Sequence, residues 1–304
     1  MINVSVIGFG GVGSALTSLL LSNCVEMSIN VIEPSPDKAG AILDMAHSMS
    51  LYPTKKLHLN NDSLLKNADF VFYSAGIPNT HGESRFSKSA QNIELSRSIF
   101  EGVKFTKTPY IIIITNPVDI IPYHVQKYTG LAFNKVIGVG TFLESVRLSH
   151  YLSDFSGYSH KDINAFVLGE HGDTQVPAYS ITTVNGALIS SLPQFNVKVL
   201  QNAAEKTKNA AFEIRKTEPG TKYAVTKCAE SIMTYLLSEE ITTIPLSVRT
   251  NAFYNALLGL EKSVYISVPV DISRKGVQIN ESVVLNDEEI KALSLSAKAV
   301  ASQL

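Results

Sequence analysis

Closely spaced aliphatic residues along the first half of the chain predict a set of short buried strands. Isoleucine and valine dominate Ile2–Ile7 and Ile29–Ile32, and further apolar runs cover Asp69–Gly76, Tyr110–Thr115 and Val136–Thr141. Apolar runs without strict polar alternation are typical of parallel strands that are buried on both faces. We therefore expect a parallel sheet to form the core of this half.

Helical periodicity separates these strands, most clearly over Glu83–Phe105 and Pro117–Tyr128. Strands that alternate with helices predict a doubly wound α/β sheet of the Rossmann type, with helices on both faces. We assign residues 1–140 to this domain.

The second half of the chain, residues 141–304, mixes helical and strand patterns in a different order. Its helical and β-rich runs, in chain order, are Phe142–Phe155, Asn196–Lys216, Lys222–Leu237, Thr242–Arg249, Ser263–Ile272 and Gly276–Ile279. Asn286 is a good N-cap for a last helix that runs to Leu304. These runs predict a second domain of the α+β class.

Composition and charge narrow the possible functions. With 304 residues and 45% hydrophobic content, the chain can form two domain cores. A net charge of −1 gives no sign of binding to nucleic acid or to an anionic membrane. Cys24 and Cys228 lack the spacing of metal ligands and fit a reducing cytoplasm. No apolar run approaches the ~20 residues that span a bilayer. From the cysteines and the apolar runs together, we expect a cytoplasmic protein that binds no metal and does not span a membrane.

The first predicted strand leads into a glycine-rich loop. This loop, Gly8-Phe9-Gly10-Gly11-Val12-Gly13, precedes a helical run and matches the motif G-x-G-x-x-G. The first glycine of the motif makes a tight turn, the second lets the backbone approach a pyrophosphate, and the third lets the helix pack on the strand. The helix N-terminus then offers N–H donors to the phosphates. The loop predicts a dinucleotide site at Gly8, Gly10, Gly11, Val12 and Gly13.

Polar and small residues end the following strands. Glu33 lies about twenty residues past the loop, where an acid accepts hydrogen bonds from the ribose hydroxyls and favours NAD over NADP. A solvated acid at a strand end is the alternative interpretation. Ala75-Gly76 and Thr115-Asn116 end two later strands. Because ligands of such sheets bind outside the carboxyl ends of the strands, we expect these residues to converge on one crevice.

His171 lies between two glycines and two carboxylates, in the stretch Gly169-Glu170-His171-Gly172-Asp173. A histidine with an ordinary pKa near 6.5 can carry a proton in either direction at neutral pH. An isolated histidine of this kind is more often an incidental residue of a surface turn. The predicted dinucleotide site and two arginines favour a catalytic role instead.

The two arginines have different settings. Arg147 follows Glu144 at i, i+3, so both lie on one face of the predicted helix Phe142–Phe155. As a surface ion pair they would contribute less than ~1 kcal/mol. In a cleft, Glu144 would hold a histidine ring nitrogen and Arg147 would bind a carboxylate through two hydrogen bonds. Arg85 follows a polar segment and is either an exposed arginine at a helix start or a group that polarises a substrate carbonyl.

Together these motifs resemble the L-lactate/malate dehydrogenase family, which consists of NAD-dependent L-2-hydroxy acid dehydrogenases. The matching segments span nearly the whole chain and are Gly8–Gly13, Ala75-Gly76, Gly82–Arg85, Thr115–Asp119, Val136–Gly138, Leu143–Arg147, Leu168–Asp173 and Ser267–Pro269. The resemblance implies NAD as the cofactor, a small 2-oxo or 2-hydroxy acid as the substrate, and a homo-dimer or homo-tetramer.

The resemblance also implies a role for each matching residue. His171 would exchange the proton with the substrate oxygen, and Glu144 would orient its ring. Arg147 would clamp the substrate carboxylate, Arg85 would polarise the carbonyl from a lid, and Asn116 would lie between the nicotinamide and the substrate.

A few positions bear on the substrate. At the lid position of Asn79, lactate enzymes usually carry glutamine and malate enzymes usually carry arginine. Asn79 is neutral and shorter than either, which argues against a second substrate carboxylate, and Thr221 matches a threonine typical of lactate enzymes. These residues favour an L-lactate dehydrogenase that acts on pyruvate. A malate dehydrogenase and a dehydrogenase for bulkier 2-oxo acids are alternatives. A catalytically weak NAD-binding sensor or scaffold is an alternative of another class. Two departures from the family support it: Glu144 replaces the usual aspartate, and Val139 replaces a frequent serine.

Overall fold

A computed structural model of the protein describes residues 1–77 and 88–304. The chain divides into two compact units. The first combines residues 1–138 with residues 222–237, and the second combines residues 139–221 with residues 238–304. The first unit is therefore built from two stretches that are far apart in the sequence.

Strands and helices alternate along the first 138 residues. These elements are β1 (Ile2–Ile7), α1 (Gly11–Ser22), β2 (Met27–Ile32), α2 (Ala39–His47), β3 (Lys55–Leu59), α3 (Asp62–Lys66), β4 (Phe70–Tyr73), α4 (Ser89–Phe100), β5 (Tyr110–Ile113), α5 (Ile121–Thr129) and β6 (Val136–Gly138). The strands are parallel and lie in the order β3-β2-β1-β4-β5-β6. This is the strand order of dinucleotide-binding α/β folds, which confirms the predicted Rossmann-type sheet.

The central strands are buried on both faces, as their apolar sequences predict. In β5, the consecutive residues Ile111, Ile112 and Ile113 are all inaccessible to solvent. Their burial holds the carboxyl ends of the strands in place, where the predicted cofactor residues lie.

The rest of the chain contains longer helices and antiparallel strands. Its elements are α6 (Phe142–Ser156), β7 (Ile163–Asn164), β8 (Val167–Leu168), β9 (Val176–Pro177), β10 (Thr183–Val184), β11 (Ala187–Leu188), α7 (Val197–Arg215), α8 (Tyr223–Leu237), β12 (Thr242–Arg249), α9 (Ala252–Leu258), β13 (Tyr265–Ser273), β14 (Gly276–Ile279) and α10 (Asp287–Ala301). In the second unit β12 pairs with β13 and β13 with β14, β10 lies between β7 and β11, and β8 pairs with β9, all antiparallel. The predicted α+β class of this half is confirmed.

Local signals account for several of the element ends. Asn286 caps α10 and forms a reciprocal capping box with Glu289. The predicted helix Glu83–Phe105 begins outside the described residues. Its described part α4 ends at Phe100, because Glu101 is extended and Gly102, with a φ of +82°, completes a β-turn closed by the Val103 N–H and the Phe100 oxygen at 3.2 Å. The sequence pattern does not predict the short helix α2, because Ile42 is its one buried residue and a single buried position gives no helical periodicity. Among the described residues, no helix has the length and apolar character that crossing a membrane requires.

Helix α8 joins the first unit through a buried carboxylate. Glu230 Oε1 accepts hydrogen bonds from Asn23 Nδ2, just after α1, and from Thr234 Oγ1. Glu230 Oε2 accepts from Lys227 Nζ at 2.7 Å. Since a buried carboxylate is costly unless donors satisfy it, this network holds α8 against α1.

Replacement of Glu230 by alanine tests this network. We expect Glu230→Ala to lower the free energy of unfolding by about 1–3 kcal/mol, because the Asn23 amide loses its buried acceptor. Urea unfolding measures the change. Glu213→Ala is the matched control, because Glu213 also pairs with a lysine three residues away but its side chain is 58% exposed, against 4% for Glu230. Equal losses in the two variants would contradict the assigned role of Glu230.

Candidate active site

The glycine-rich loop between β1 and α1 is tight at its ends and open at its centre. A Cβ on Gly8, whose φ is +93°, would lie 2.6 Å from the Ala75 nitrogen, and a Cβ on Gly13 would lie 1.8 Å from the Gly8 oxygen. A Cβ on Gly10 or Gly11 would meet nothing within 4 Å. The loop thus leaves an open cradle beside the N-terminus of α1. This space fits the pyrophosphate of a dinucleotide.

The carboxylate of Glu33 is held beside this loop. Its Oε2 accepts a hydrogen bond from the Phe9 N–H at 2.8 Å, and its Oε1 accepts one from the Ser35 N–H at 3.0 Å. Each carboxylate oxygen can accept more than one hydrogen bond. Glu33 can therefore also accept the hydroxyls of a ribose.

The carboxyl ends of β4 and β5 are joined by side-chain hydrogen bonds. Thr115 Oγ1 donates to the Ala75 oxygen at 2.8 Å, and Asn92 Nδ2 donates to the Asn116 oxygen at 3.0 Å. Asn92 Oδ1 also accepts from the Ile77 N–H at 2.7 Å. Asn116 Oδ1 is buried and has no hydrogen-bond partner among the described residues. This acceptor fits the amide donors of a nicotinamide.

The predicted cofactor residues of the first unit therefore do come together. The backbone of Ala75 lies close to Gly8, and a Cβ on Gly76 would lie 2.8 Å from Thr115 Cγ2. Only glycine lets the backbone at position 76 lie this close to Thr115. The described residues contain no cluster of histidine, cysteine or acidic residues that could hold a metal ion.

In the second unit, Glu144 contacts two of the other predicted catalytic residues. Glu144 Oε2 lies 2.7 Å from His171 Nδ1, and Glu144 Oε1 accepts from Arg147 Nη1 at 3.0 Å. Glu144 is 1% exposed and Arg147 is 9% exposed. Glu144 and Arg147 therefore form a buried ion pair and not an exposed surface one. The Glu144 carboxylate of this pair also contacts His171.

Hydroxyl groups at the N-terminus of α6, on its N-cap Thr141 and on Ser145, fix this helix to β8. Thr141 Oγ1 donates to the Val167 oxygen, and Ser145 Oγ accepts from the Val167 N–H at 2.8 Å. Because Val167 lies four residues before His171, these bonds set the distance between Glu144 on α6 and the histidine.

His171 is the central residue of a γ-turn. The Gly172 N–H donates to the Glu170 oxygen at 2.8 Å, which closes the turn around His171. Just before it, Gly169 exchanges two backbone hydrogen bonds with Ser267 of β13, at 2.9 and 3.1 Å. The turn that presents the imidazole is thus attached to a buried strand.

Three of the predicted site residues take no part in the contacts described above. Arg85 and Asn79 lie outside the described residues. Thr221 follows α7 and is half-buried. Sequence reasoning also missed two helical residues. Asn92 binds the backbone after β4 and β5 in the first unit, and Ser145 binds β8 in the second. The available signal was a polar residue on a helix face that is otherwise buried, such as the Asn92, Ser96 and Phe100 face of α4.

Two family models match the chain. Residues 2–138 match the NAD-binding domain of lactate/malate dehydrogenase, and residues 141–304 match the α/β C-terminal domain of lactate/malate dehydrogenase. The L-lactate dehydrogenase 1 of Listeria innocua is 30% identical over 297 residues, covering 97% of this chain and 93% of that protein. An L-lactate dehydrogenase of Clostridium botulinum is 27% identical over 308 residues, covering 99% and 95%.

Solved structures of two kinds of enzyme are similar to the chain. The minor L-lactate dehydrogenase of Enterococcus mundtii has a TM-score of 0.89 at 26% identity, covering 100% of this chain and 98% of that one. The malate dehydrogenase of Plasmodium falciparum has a TM-score of 0.88 at 25% identity, covering 99% and 97%. Similarity of fold thus does not separate the lactate enzymes from the malate enzymes.

Alanine substitutions in the glycine-rich loop test the cradle. Gly13→Ala should destabilise the protein by about 1–3 kcal/mol, because its Cβ would overlap the Gly8 oxygen. Gly10→Ala should leave the unfolding free energy within about 0.5 kcal/mol of the parent. It should nevertheless weaken NADH binding about tenfold or more, because its Cβ enters the open cradle. Thermal unfolding and NADH fluorescence titration measure these effects. Parent-like NADH affinity in Gly10→Ala would exclude the cradle as the pyrophosphate site.

Proposed function

The chain belongs to the lactate/malate dehydrogenase family, and from this premise we propose that it is an NAD-dependent L-2-hydroxy acid dehydrogenase that interconverts pyruvate and L-lactate. The family matches confirm the resemblance found in the motifs, with NAD as the cofactor and oxidoreductase as the enzyme class. In this proposal, residues 1–140 bind NAD and residues 141–304 form the catalytic domain. The enzyme works in the cytoplasm as a homo-dimer or homo-tetramer.

The observation that carries the proposal is the buried contact of Glu144 with both His171 and Arg147. Bound NADH would supply the hydride. Because Nδ1 of His171 faces Glu144, Nε2 is the ring nitrogen that gives its proton to the substrate oxygen. The Glu144 carboxylate holds the ring in this orientation and stabilises its protonated form.

Arg147 takes the role of the carboxylate clamp. A guanidinium is a planar fork that matches the two oxygens of a carboxylate, and Arg147 is held in one orientation by its bond to Glu144. Arg85 keeps its proposed role in polarising the carbonyl, and Asn116 keeps its place between the nicotinamide and the substrate. In the first unit, Gly8–Gly13 would hold the pyrophosphate and Glu33 the ribose hydroxyls.

Pyruvate is the proposed substrate because Asn79 carries no charge and Thr221 matches the lactate enzymes. Relatives named L-lactate dehydrogenase support this choice. Malate dehydrogenase is the second candidate, because solved malate dehydrogenases have nearly the same TM-scores. Its oxaloacetate substrate carries a second carboxylate, which needs a cation that Asn79 does not supply.

Substitution of Arg147 by lysine tests the clamp. Arg147→Lys keeps the charge but loses the fork, so we expect the KM for pyruvate to rise about 10- to 100-fold, or roughly 1.4–2.8 kcal/mol. NADH affinity should stay unchanged. Arg274→Lys is the control, because Arg274 pairs with Glu239 where both side chains are more than 70% exposed (71% and 74%). A parent-like KM for pyruvate in Arg147→Lys would rule Arg147 out as the clamp.

The experiment that tests the whole proposal is NADH oxidation with a panel of 2-oxo acids. The panel contains pyruvate, oxaloacetate, 2-oxobutyrate, 2-oxoisocaproate and phenylpyruvate. We expect the highest kcat/KM with pyruvate. Oxaloacetate in first place would indicate a malate dehydrogenase, and a bulkier acid in first place would indicate a wider pocket at Asn79. Binding of NADH without turnover of any acid would favour the sensor or scaffold.

A further inference from the structure

Three polar residues around the His171 turn have no role in the chemistry described so far. Glu170 precedes the histidine and Thr174 follows it by three residues, whereas Ser296 lies on α10, near the end of the chain. Ser296 is completely buried and Glu170 is 6% exposed. Thr174, in contrast, is an exposed residue. Buried polar groups such as those of Ser296 and Glu170 need hydrogen-bond partners, and Thr174 supplies one to each of them.

Their hydrogen bonds form a closed ring. The Glu170 N–H donates to Ser296 Oγ at 2.8 Å, and Ser296 Oγ lies 2.9 Å from Thr174 Oγ1. Thr174 Oγ1 donates to Glu170 Oε2, and the Thr174 N–H donates to the same oxygen at 3.3 Å. The ring thus begins at the backbone of Glu170 and returns to its side chain.

The direction of each hydrogen bond follows from the chemistry of the groups. An ionised carboxylate only accepts, and a hydroxyl has one hydrogen to donate. Since Thr174 donates its hydroxyl hydrogen to Glu170, the Ser296 hydroxyl must donate to Thr174 while it accepts from the Glu170 N–H. Every hydroxyl in the ring therefore donates and accepts in the same sense, an arrangement in which hydrogen bonds strengthen one another.

The ring also explains the glycines on both sides of the histidine. A Cβ on Gly169, whose φ is +91°, would lie 2.7 Å from Ser296 Oγ. A Cβ on Gly172 would lie 2.2 Å from Glu170 Oε1. Larger residues at either position would displace a member of the ring. The ring and the γ-turn at His171 are therefore one structural unit.

We propose that the ring of Glu170, Thr174 and Ser296 positions His171 for proton transfer. Ser296 and Thr174 are positioning residues, because they act on the histidine through the backbone and side chain of Glu170. The proposal rests on the proposed function for the proton transfer itself. It makes α10 a structural support of the His171 turn, since this helix supplies the hydroxyl that joins the Glu170 N–H to Thr174.

Kinetics of four variants test the ring. Ser296→Ala and Thr174→Val each remove one hydroxyl, and Thr174→Ser keeps it. Ser294→Ala is the matched control, because Ser294 lies on the same helix but donates to the Leu258 oxygen at 2.7 Å. We expect kcat to fall about tenfold or more in Ser296→Ala and Thr174→Val, since small displacements of a catalytic group have large effects on rate. Thr174→Ser and Ser294→Ala should stay within about threefold of the parent.

Two further measurements separate positioning from a general loss of structure. The KM for pyruvate and the Kd for NADH should change less than about twofold in Ser296→Ala, because Arg147 and the first unit are intact. All assays are run well below the Tm of each variant. A kcat in Ser296→Ala equal to that in Ser294→Ala would overturn the proposal.

A readout independent of turnover is the imidazole of His171 itself. Because the Glu144 carboxylate only accepts, Nδ1 of His171 carries the hydrogen between them, and NMR of [15N]histidine-labelled protein detects it. His171→Asn identifies the signal. We expect the signal to be lost or shifted in Ser296→Ala and retained in Ser294→Ala and Thr174→Ser. If the parent turns over no 2-oxo acid, the proposed function fails, and an unchanged signal in Ser296→Ala still overturns the ring.

Discussion

The arrangement of His171 and Arg147 in the second unit depends on the burial of one carboxylate. The two oxygens of Glu144 are divided between His171 Nδ1 and Arg147 Nη1. A buried carboxylate without such donors would be destabilised by several kcal/mol, so the three side chains constrain one another. Hydroxyl groups at the N-terminus of α6 bind β8, the strand that leads to the histidine. The position of the imidazole is thus set by backbone elements and not by a mobile side chain alone.

A similar constraint applies where α10 meets the segment 169–180 of the second unit. Glu289 completes the capping box of Asn286 at the start of α10, and its carboxylate also accepts from the Ser180 N–H at 3.0 Å. Ser296, two turns further along α10, accepts from the N–H of Glu170. Buried carboxylates and hydroxyls therefore attach α10 to the segment 169–180 at two points. The last helix of the chain supports the turn that carries His171, although it contributes no side chain to the proposed chemistry.

Local physics explains which features could be predicted from the sequence. The glycine-rich loop and the Asn286 cap depend on neighbouring residues, so their sequence signals are sufficient. The i, i+3 spacing placed Glu144 and Arg147 on one face, but only tertiary packing decides that this face is buried. Partners distant in the chain have no periodic signal. Glu230 lies 207 residues from Asn23, so the sequence could not show that α8 belongs to the first unit.

Glutamate at position 144 is the departure from the family pattern that most supported a protein without turnover. The structure weakens that argument, because the longer side chain still brings a carboxylate oxygen within 2.7 Å of the imidazole. Long side chains at i, i+3 also reach one another across a helix turn, and the second oxygen binds Arg147. Under the proposed function, a substrate carboxylate that binds Arg147 meets a guanidinium already oriented by the acid that orients the proton donor. In that proposal, glutamate links the proton donor and the carboxylate clamp, and neither of them is lost.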